Sequence, residues 1–203
     1  MLRVIDDFLD DPYSFRNEGL KLYDENSRNV DHDYPWPGFR SRVPDSLSKK
    51  YLSKIESIVD DKLLIRNIYF QWVDKTWISG LWHEDVSDYT ALTFLNLDAP
   101  SNTGIEIGNN NKGNKLCCDY IQDFDSIKHP FYKSSRNYYQ RYWFKKEIDK
   151  FSSSPFFKNS CTVSNKFNRT VIFTQSQLHR AQNFFGKGKK SRFTMISFYT
   201  ITN

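Results

Sequence analysis

Two periodicities divide the chain. Between Pro12 and Val59 apolar side chains recur at steps of three and four, and from Ile65 onward they alternate with a period of two. Val4-Ile5 and Phe8-Leu9 read as a short strand and turn. Asp11-Pro12 then supplies an N-cap and a first-turn proline for a helix running to about residue 24, with Phe15 and Leu22 on its buried side. Residues 34–42 carry too many prolines for a regular element and read as a loop or sheet edge that leans on the core through aromatics such as Trp36 and Phe39. Asp45-Ser46 is the expected cap of a second helix, on which Leu47, Tyr51, Ile55, Ile58 and Val59 form one apolar stripe.

Residues 68–73, 76–82, 89–95 and 104–107 are short, β-branched and aromatic, and are separated by Asp, Asn, Gly and Pro, so each is predicted as a strand. Residues 170–174 and 192–200 complete the set. Helices followed by this many strands predict a mainly β fold with flanking N-terminal helices, in which two sheets face each other as a double-stranded β-helix, a cupin-like jelly roll. A chain of 203 residues suits one buried core, so residues 1–203 read as a single domain.

An insertion at about residues 109–160 differs in character. It opens on a polar tip, Asn109 to Lys115, and continues with Phe131-Tyr132, Tyr138-Tyr139 and Phe156-Phe157. Phe144, Ile148 and Phe151 at helical spacing predict a helix over about 137–151. Long insertions in compact domains are usually functional or disordered, and the aromatic density favours a cover over the sheet mouth that walls a substrate pocket together with Trp36 and Phe39.

Composition adds exclusions. An early run of acidic residues after Met1 argues against a signal peptide, and no apolar run reaches the roughly 18 residues of a membrane span, so a cytoplasmic protein without a membrane partner is expected. Cys117 and Cys118 are adjacent and leave Cys161 as a remainder if either pairs elsewhere, which fits a reducing compartment. The net charge of +5 is spread along the chain and interleaved with acids, with one tight basic cluster at residues 187–192, so a nucleic-acid partner is not expected.

Of four histidines, His32 and His129 lie in loop-like contexts without a nearby strand carboxylate. His83 and Asp85 differ, because a strand period of two sets an imidazole and a carboxylate on one face. His179 supplies a third donor, from a position where a late strand can face the pair. Two histidines and one carboxylate with open positions left over form the ligand set of non-haem Fe(II) oxygenases. The order His83-x-Asp85, distant His179, then Arg192 opening a strand resembles the 2-oxoglutarate-dependent Fe(II) dioxygenases, most closely the prolyl-hydroxylase-like and small phage or bacterial members. Residues 88–100 and Gly104 resemble the strand, turn and glycine that follow their motif.

That resemblance implies Fe(II) held by His83, Asp85 and His179, and 2-oxoglutarate as co-substrate with ascorbate as a supporting reductant. It implies an Arg192 guanidinium on the distal carboxylate through two parallel hydrogen bonds, with Thr194 donating to the same group. Lys189, Lys190 and Arg180 are the competing anchors. The implied reaction is decarboxylation of 2-oxoglutarate coupled to hydroxylation of a C–H bond in a small-molecule or peptide substrate. The rivals are a non-catalytic jelly-roll module that binds peptide or carbohydrate, and a cupin-type dioxygenase, which commonly needs more histidines than this chain offers. Oligomeric state is not legible.

Overall fold

A computed structural model of the protein describes residues 1–23, 38–77, 80, 82–110 and 157–202. Its elements run β1 (Leu2–Ile5), α1 (Pro12–Leu22), β2 (Phe39–Arg42), α2 (Asp45–Val59), β3 (Leu63–Val73), β4 (Tyr89–Phe94), β5 (Ile105–Asn110), β6 (Phe157–Val163), β7 (Thr170–Thr174), β8 (His179–Ala181) and β9 (Arg192–Ile201). Six strands form one antiparallel sheet in the order β1-β7-β4-β9-β3-β2, and β6-β5-β8 form a second, smaller one.

Alternation along the large sheet decides what each face meets. Phe70 and Trp72 of β3, Ala91 of β4, Ile172 of β7 and Phe193, Met195 and Tyr199 of β9 point one way and pack with Phe15 of α1 and with Leu47, Tyr51 and Ile55 of α2. Leu92 and Phe94 of β4 with Val171 and Phe173 of β7 point the other way, against Ile105, Ile107 and Val163 of the small sheet. The molecule is therefore layered as helices, large sheet and small sheet, which is the predicted mainly β double-stranded β-helix with helices on one side.

The helices form where the sequence places them, with one correction. Asp11 caps α1 by accepting from the Ser14 N–H at 3.0 Å, and Pro12 follows in the first turn. Asp45 is not a cap: the residue preceding α2 is Pro44, which has no side-chain oxygen to offer, and Asp45 instead brings a negative charge to the first turn. Within the segment 34–42, read as a loop or sheet edge, Phe39–Arg42 form the edge strand β2, paired with β3 at Arg40↔Gln71, and residues 34–37 lie outside the described ones. Phe39 lies on the helix side with Tyr23 and Trp72, at 5.4 Å from each ring, so it does not wall the space between the sheets.

Of the strand predicted over residues 76–82, the described positions Thr76, Trp77, Gly80 and Trp82 carry no strand assignment. Thr76 closes a turn on the Asp74 carboxylate at 2.9 Å, and of the described residues in this stretch only Gly80 reaches a neighbouring strand through its N–H. Two strands escaped the periodicity reading, β6 because it falls at the end of the insertion and β8 because three residues are too few to show alternation. Asn110 of β5 pairs with Phe157 of β6, so the insertion leaves and re-enters at opposed positions of one strand pair. The helix expected over about 137–151, the lid reading, Trp36, His32 and His129 lie outside the described residues.

α1 approaches the large sheet at Gly19, where an added Cβ would lie 2.4 Å from Phe193 Cζ and 3.1 Å from the Phe70 ring. Phe193 cannot yield, being stacked at 4.6 Å on the buried Trp72. Alanine gains about 0.5–1 kcal/mol in helix propensity, while overpacking costs typically about 1–3 kcal/mol, so the steric effect wins. Gly19→Ala is expected to lower Tm; a raised Tm in a thermal melt would show that the helix stands further from the sheet.

Candidate metal centre

His83 and His179 face each other across an isolated antiparallel bridge in which each N–H donates to the other's carbonyl at 3.0 Å. Residues opposed in this way project their side chains to the same face, and the two imidazole centroids are 4.2 Å apart. His179 lies in β8, whose other neighbour is β5 at Ile107↔His179, so the small sheet carries it directly. His83 lies on no strand. Its segment is stitched on by the bridge and by the Gly80 N–H, which donates to Ala181 O at 2.9 Å. Glycine is needed there, since a Cβ would fall 2.7 Å from Ala181 N.

Asp85 joins the pair, though not by the expected route. Residues 84 and 85 have no regular structure, so strand pleating does not set the carboxylate. The Thr90 hydroxyl of β4 fixes it, donating to Asp85 Oδ2 at 2.6 Å. Asp85 Oδ1 is then 3.6 Å from His83 Nε2, and Oδ2 is 3.6 Å from His179 Nε2. One donor atom from each residue falls within 4.8 Å of the others. Atoms 3.6 Å apart are too distant for a good hydrogen bond, yet both can lie about 2.1 Å from a common ion.

The tautomer of His179 follows from its partner. Nδ1 is 2.9 Å from the Gln177 carbonyl, which can only accept, so Nδ1 carries the proton and Nε2 turns a lone pair toward Asp85. Burial, reinforced by the neighbouring His83 and partly offset by Asp85, pulls the ring down to about 4 from the usual 6.5. At neutral pH it is an uncharged donor, as a metal ligand must be. Phe173 of β7 backs the ring at a centroid distance of 4.4 Å.

Arg192 opens β9 on the inter-sheet face with Thr194, and both are buried, at 3% and 0% exposed. Its Nε donates to Thr103 O at 2.9 Å and its Nη2 to Gly104 O at 3.3 Å, while Phe94 and Phe184 flank the guanidinium. Among the described residues no carboxylate pairs with it. Burial alone therefore pulls it down to about 10, still protonated at neutral pH. Thr194 Oγ1 is buried without a hydrogen-bond partner. The competing cations are engaged or outside: Arg180 pairs with Glu106 over the Trp82 ring, and Lys189 and Lys190 are exposed. Exposure along this face of β9 falls from the half-buried Phe198 and Ile196 to the buried Thr194 and Arg192. Phe198 is opposite Thr90, so the histidine–aspartate cluster stands at the shallow end and Arg192 at the deep end.

Thr90 is the residue that the motif reading missed. Its signal is a polar side chain on a face of β4 that is otherwise Leu92 and Phe94, five positions after Asp85.

No family model and no curated protein matches the sequence. The fold does match solved structures. HygX from Streptomyces hygroscopicus, with nickel and 2-oxoglutarate bound, superposes with a TM-score of 0.60 at 13% identity over 99% of this chain and 83% of that one. A prolyl hydroxylase from Trichoplax adhaerens, in complex with a hypoxia-inducible-factor peptide, gives 0.56 at 10% identity over 98% and 83%. The epimerase SnoN of nogalamycin biosynthesis, described as non-haem and α-ketoglutarate-dependent, gives 0.55 at 11% identity over 98% and 77%. The chain thus has the double-stranded β-helix fold of the 2-oxoglutarate-dependent iron oxygenases, the fold expected from its helices followed by a run of strands.

Because the folded-state value of His179 lies below the unfolded one, the unfolded chain binds the extra proton first. Its contribution to stability is complete above about 6.5 and is lost as pH falls toward 4. In chelator-treated protein, the urea midpoint should drop between pH 7.5 and 5 by more in the wild type than in His179→Gln. Equal drops would place the loss elsewhere.

Proposed function

We propose that this protein is a single-domain Fe(II) oxygenase, residues 1–203, that couples decarboxylation of 2-oxoglutarate to hydroxylation of a C–H bond in a small-molecule or peptide substrate. His83, Asp85 and His179 are the metal ligands in this reading, and Arg192 with Thr194 receives the distal carboxylate of 2-oxoglutarate. The observation that carries it is the buried, positively charged Arg192, with no acid paired to it among the described residues, deep on the face whose shallow end holds the cluster. A buried cation is costly unless an anion meets it, and Thr194 Oγ1 beside it lacks a partner as well. A dicarboxylate satisfies both while its other end reaches the metal. A plain carbohydrate or peptide binder has no physical need of either feature.

Bound iron supplies the activation of dioxygen, and the overall reaction balances as 2-oxoglutarate, dioxygen and R–H giving succinate, carbon dioxide and R–OH. The remaining work falls to the chain. His83 and His179 donate as neutral imidazoles, Asp85 contributes one negative charge, and three ligands on one side leave positions for the co-substrate. The Thr103 and Gly104 carbonyls occupy the Nε side of Arg192, leaving its outer edge, Nη1 with the second Nη2 proton, to meet a carboxylate end-on. Ascorbate enters only as a reductant that keeps iron ferrous. HygX is solved with hygromycin B and the Trichoplax enzyme with a peptide, which supports a small-molecule or peptide substrate at the metal end.

Incubation with Fe(II), ascorbate and 2-oxoglutarate should yield succinate, and His83→Ala, Asp85→Ala and His179→Ala should each abolish it in folded protein. Full activity of Asp85→Ala would remove the ligand assignment. Losing a desolvated charge partner typically costs on the order of 2–5 kcal/mol, so Arg192→Ala should raise the KM for 2-oxoglutarate at least about 30-fold, with Arg192→Lys recovering part of it. A normal KM in Arg192→Ala, with loss in Arg180→Ala or Lys190→Ala, would move the anchor.

A further inference from the structure

Resting on that metal-centre reading, we propose that Thr90 is its positioning residue: a polarised hydroxyl chain from Ser87 through Thr90 sets the Asp85 carboxylate for metal binding. The direction of the chain follows from proton counting. A metal-ligating carboxylate is ionised and can only accept, so the hydrogen bond at 2.6 Å uses the single Thr90 proton. The contact of 3.1 Å between Ser87 Oγ and Thr90 Oγ1 must then run from Ser87 to Thr90. Each bond strengthens the next, and Thr90 donates more strongly than an isolated hydroxyl.

Three features make this a fixed device. Thr90 is 0% and Ser87 2% exposed, so water does not reach either hydroxyl. Thr90 is β-branched within β4, which restricts its χ1 and so the direction of its oxygen. It is also paired across the sheet with Phe173, whose ring backs His179. One cross-strand pair of the large sheet therefore supports two of the three ligands, each carried on chain outside that sheet. Without the hydroxyl, Asp85 would be free to turn, since residues 84 and 85 have no ladder of their own.

The test is calorimetric titration of Mn(II) into metal-free protein, together with the Co(II) absorption spectrum. Thr90→Val, which keeps the shape and removes the proton, should weaken Mn(II) binding about 10- to 100-fold and alter the Co(II) spectrum. Thr90→Ser should restore both. Thr93→Val is the matched control: it deletes a buried hydroxyl from the other face of the same strand, where Thr93 contacts Tyr51 and Thr170, and should leave Mn(II) affinity unchanged. Equal affinity of wild type and Thr90→Val overturns this proposal alone, and so does an equal loss in Thr93→Val, which would mark a general packing effect. A wild-type protein that binds no Mn(II) overturns the metal centre and the positioning role with it.

Discussion

The reciprocal backbone bridge between His83 and His179 is the constraint on which the site depends. It joins a segment without regular structure to the last strand of the small sheet and forces two imidazoles onto one face. Two hydrogen bonds of ordinary strength contribute about 1–3 kcal/mol together, little beside the apolar core, but they fix position where burial cannot. Apolar contact is non-directional; a paired bridge specifies register, and a slip of one residue would send either ring to the opposite face. Gly80 extends the attachment by allowing the two backbones to approach.

Around that bridge the large sheet serves two environments. Its helix face packs around Trp72, Phe193 and Tyr51, with the Thr93 and Thr170 hydroxyls buried among them and Thr93 hydrogen-bonded to both Tyr51 and Thr170. Its other face is apolar where β4 and β7 meet the small sheet, and along β9 and β3 it mixes Ile196 and Val73 with Arg192, Thr194 and Gln71. Polar side chains at buried inward positions weaken a core, so apolar packing alone does not account for Arg192 and Thr194 on the face of the sheet that also carries Thr90. Arg192 is held there by the Thr103 and Gly104 carbonyls and by two aromatic rings, with no carboxylate paired to it among the described residues.

Much of this was legible in the sequence, and for identifiable reasons. The α1 cap, the stripe on α2 and the alternation over β4, β7 and β9 are local patterns that tertiary structure had no cause to override. His83, Asp85 and His179 stood out by chemistry, and the structure brings them together. The reason it does so was not legible. Period-two reasoning placed His83 and Asp85 on a strand, whereas His83 makes a single bridge and the Asp85 orientation comes from a threonine on the following strand. Those are long-range and side-chain facts, invisible to periodicity. β8 is likewise a strand only because β5 and His83 flank it.

The account's central claim is that the cluster and Arg192 serve one ligand from its two ends. It is tested most directly by anaerobic equilibrium binding of 2-oxoglutarate with and without Mn(II). If one molecule spans both, each must tighten the other by the same factor, because binding couplings are reciprocal. The account expects weak 2-oxoglutarate binding to the metal-free protein, held by Arg192 alone, and binding at least tenfold tighter with Mn(II), mirrored by an equal gain for Mn(II) when 2-oxoglutarate is present. Identical 2-oxoglutarate affinity in the two conditions, or none in either, would contradict it.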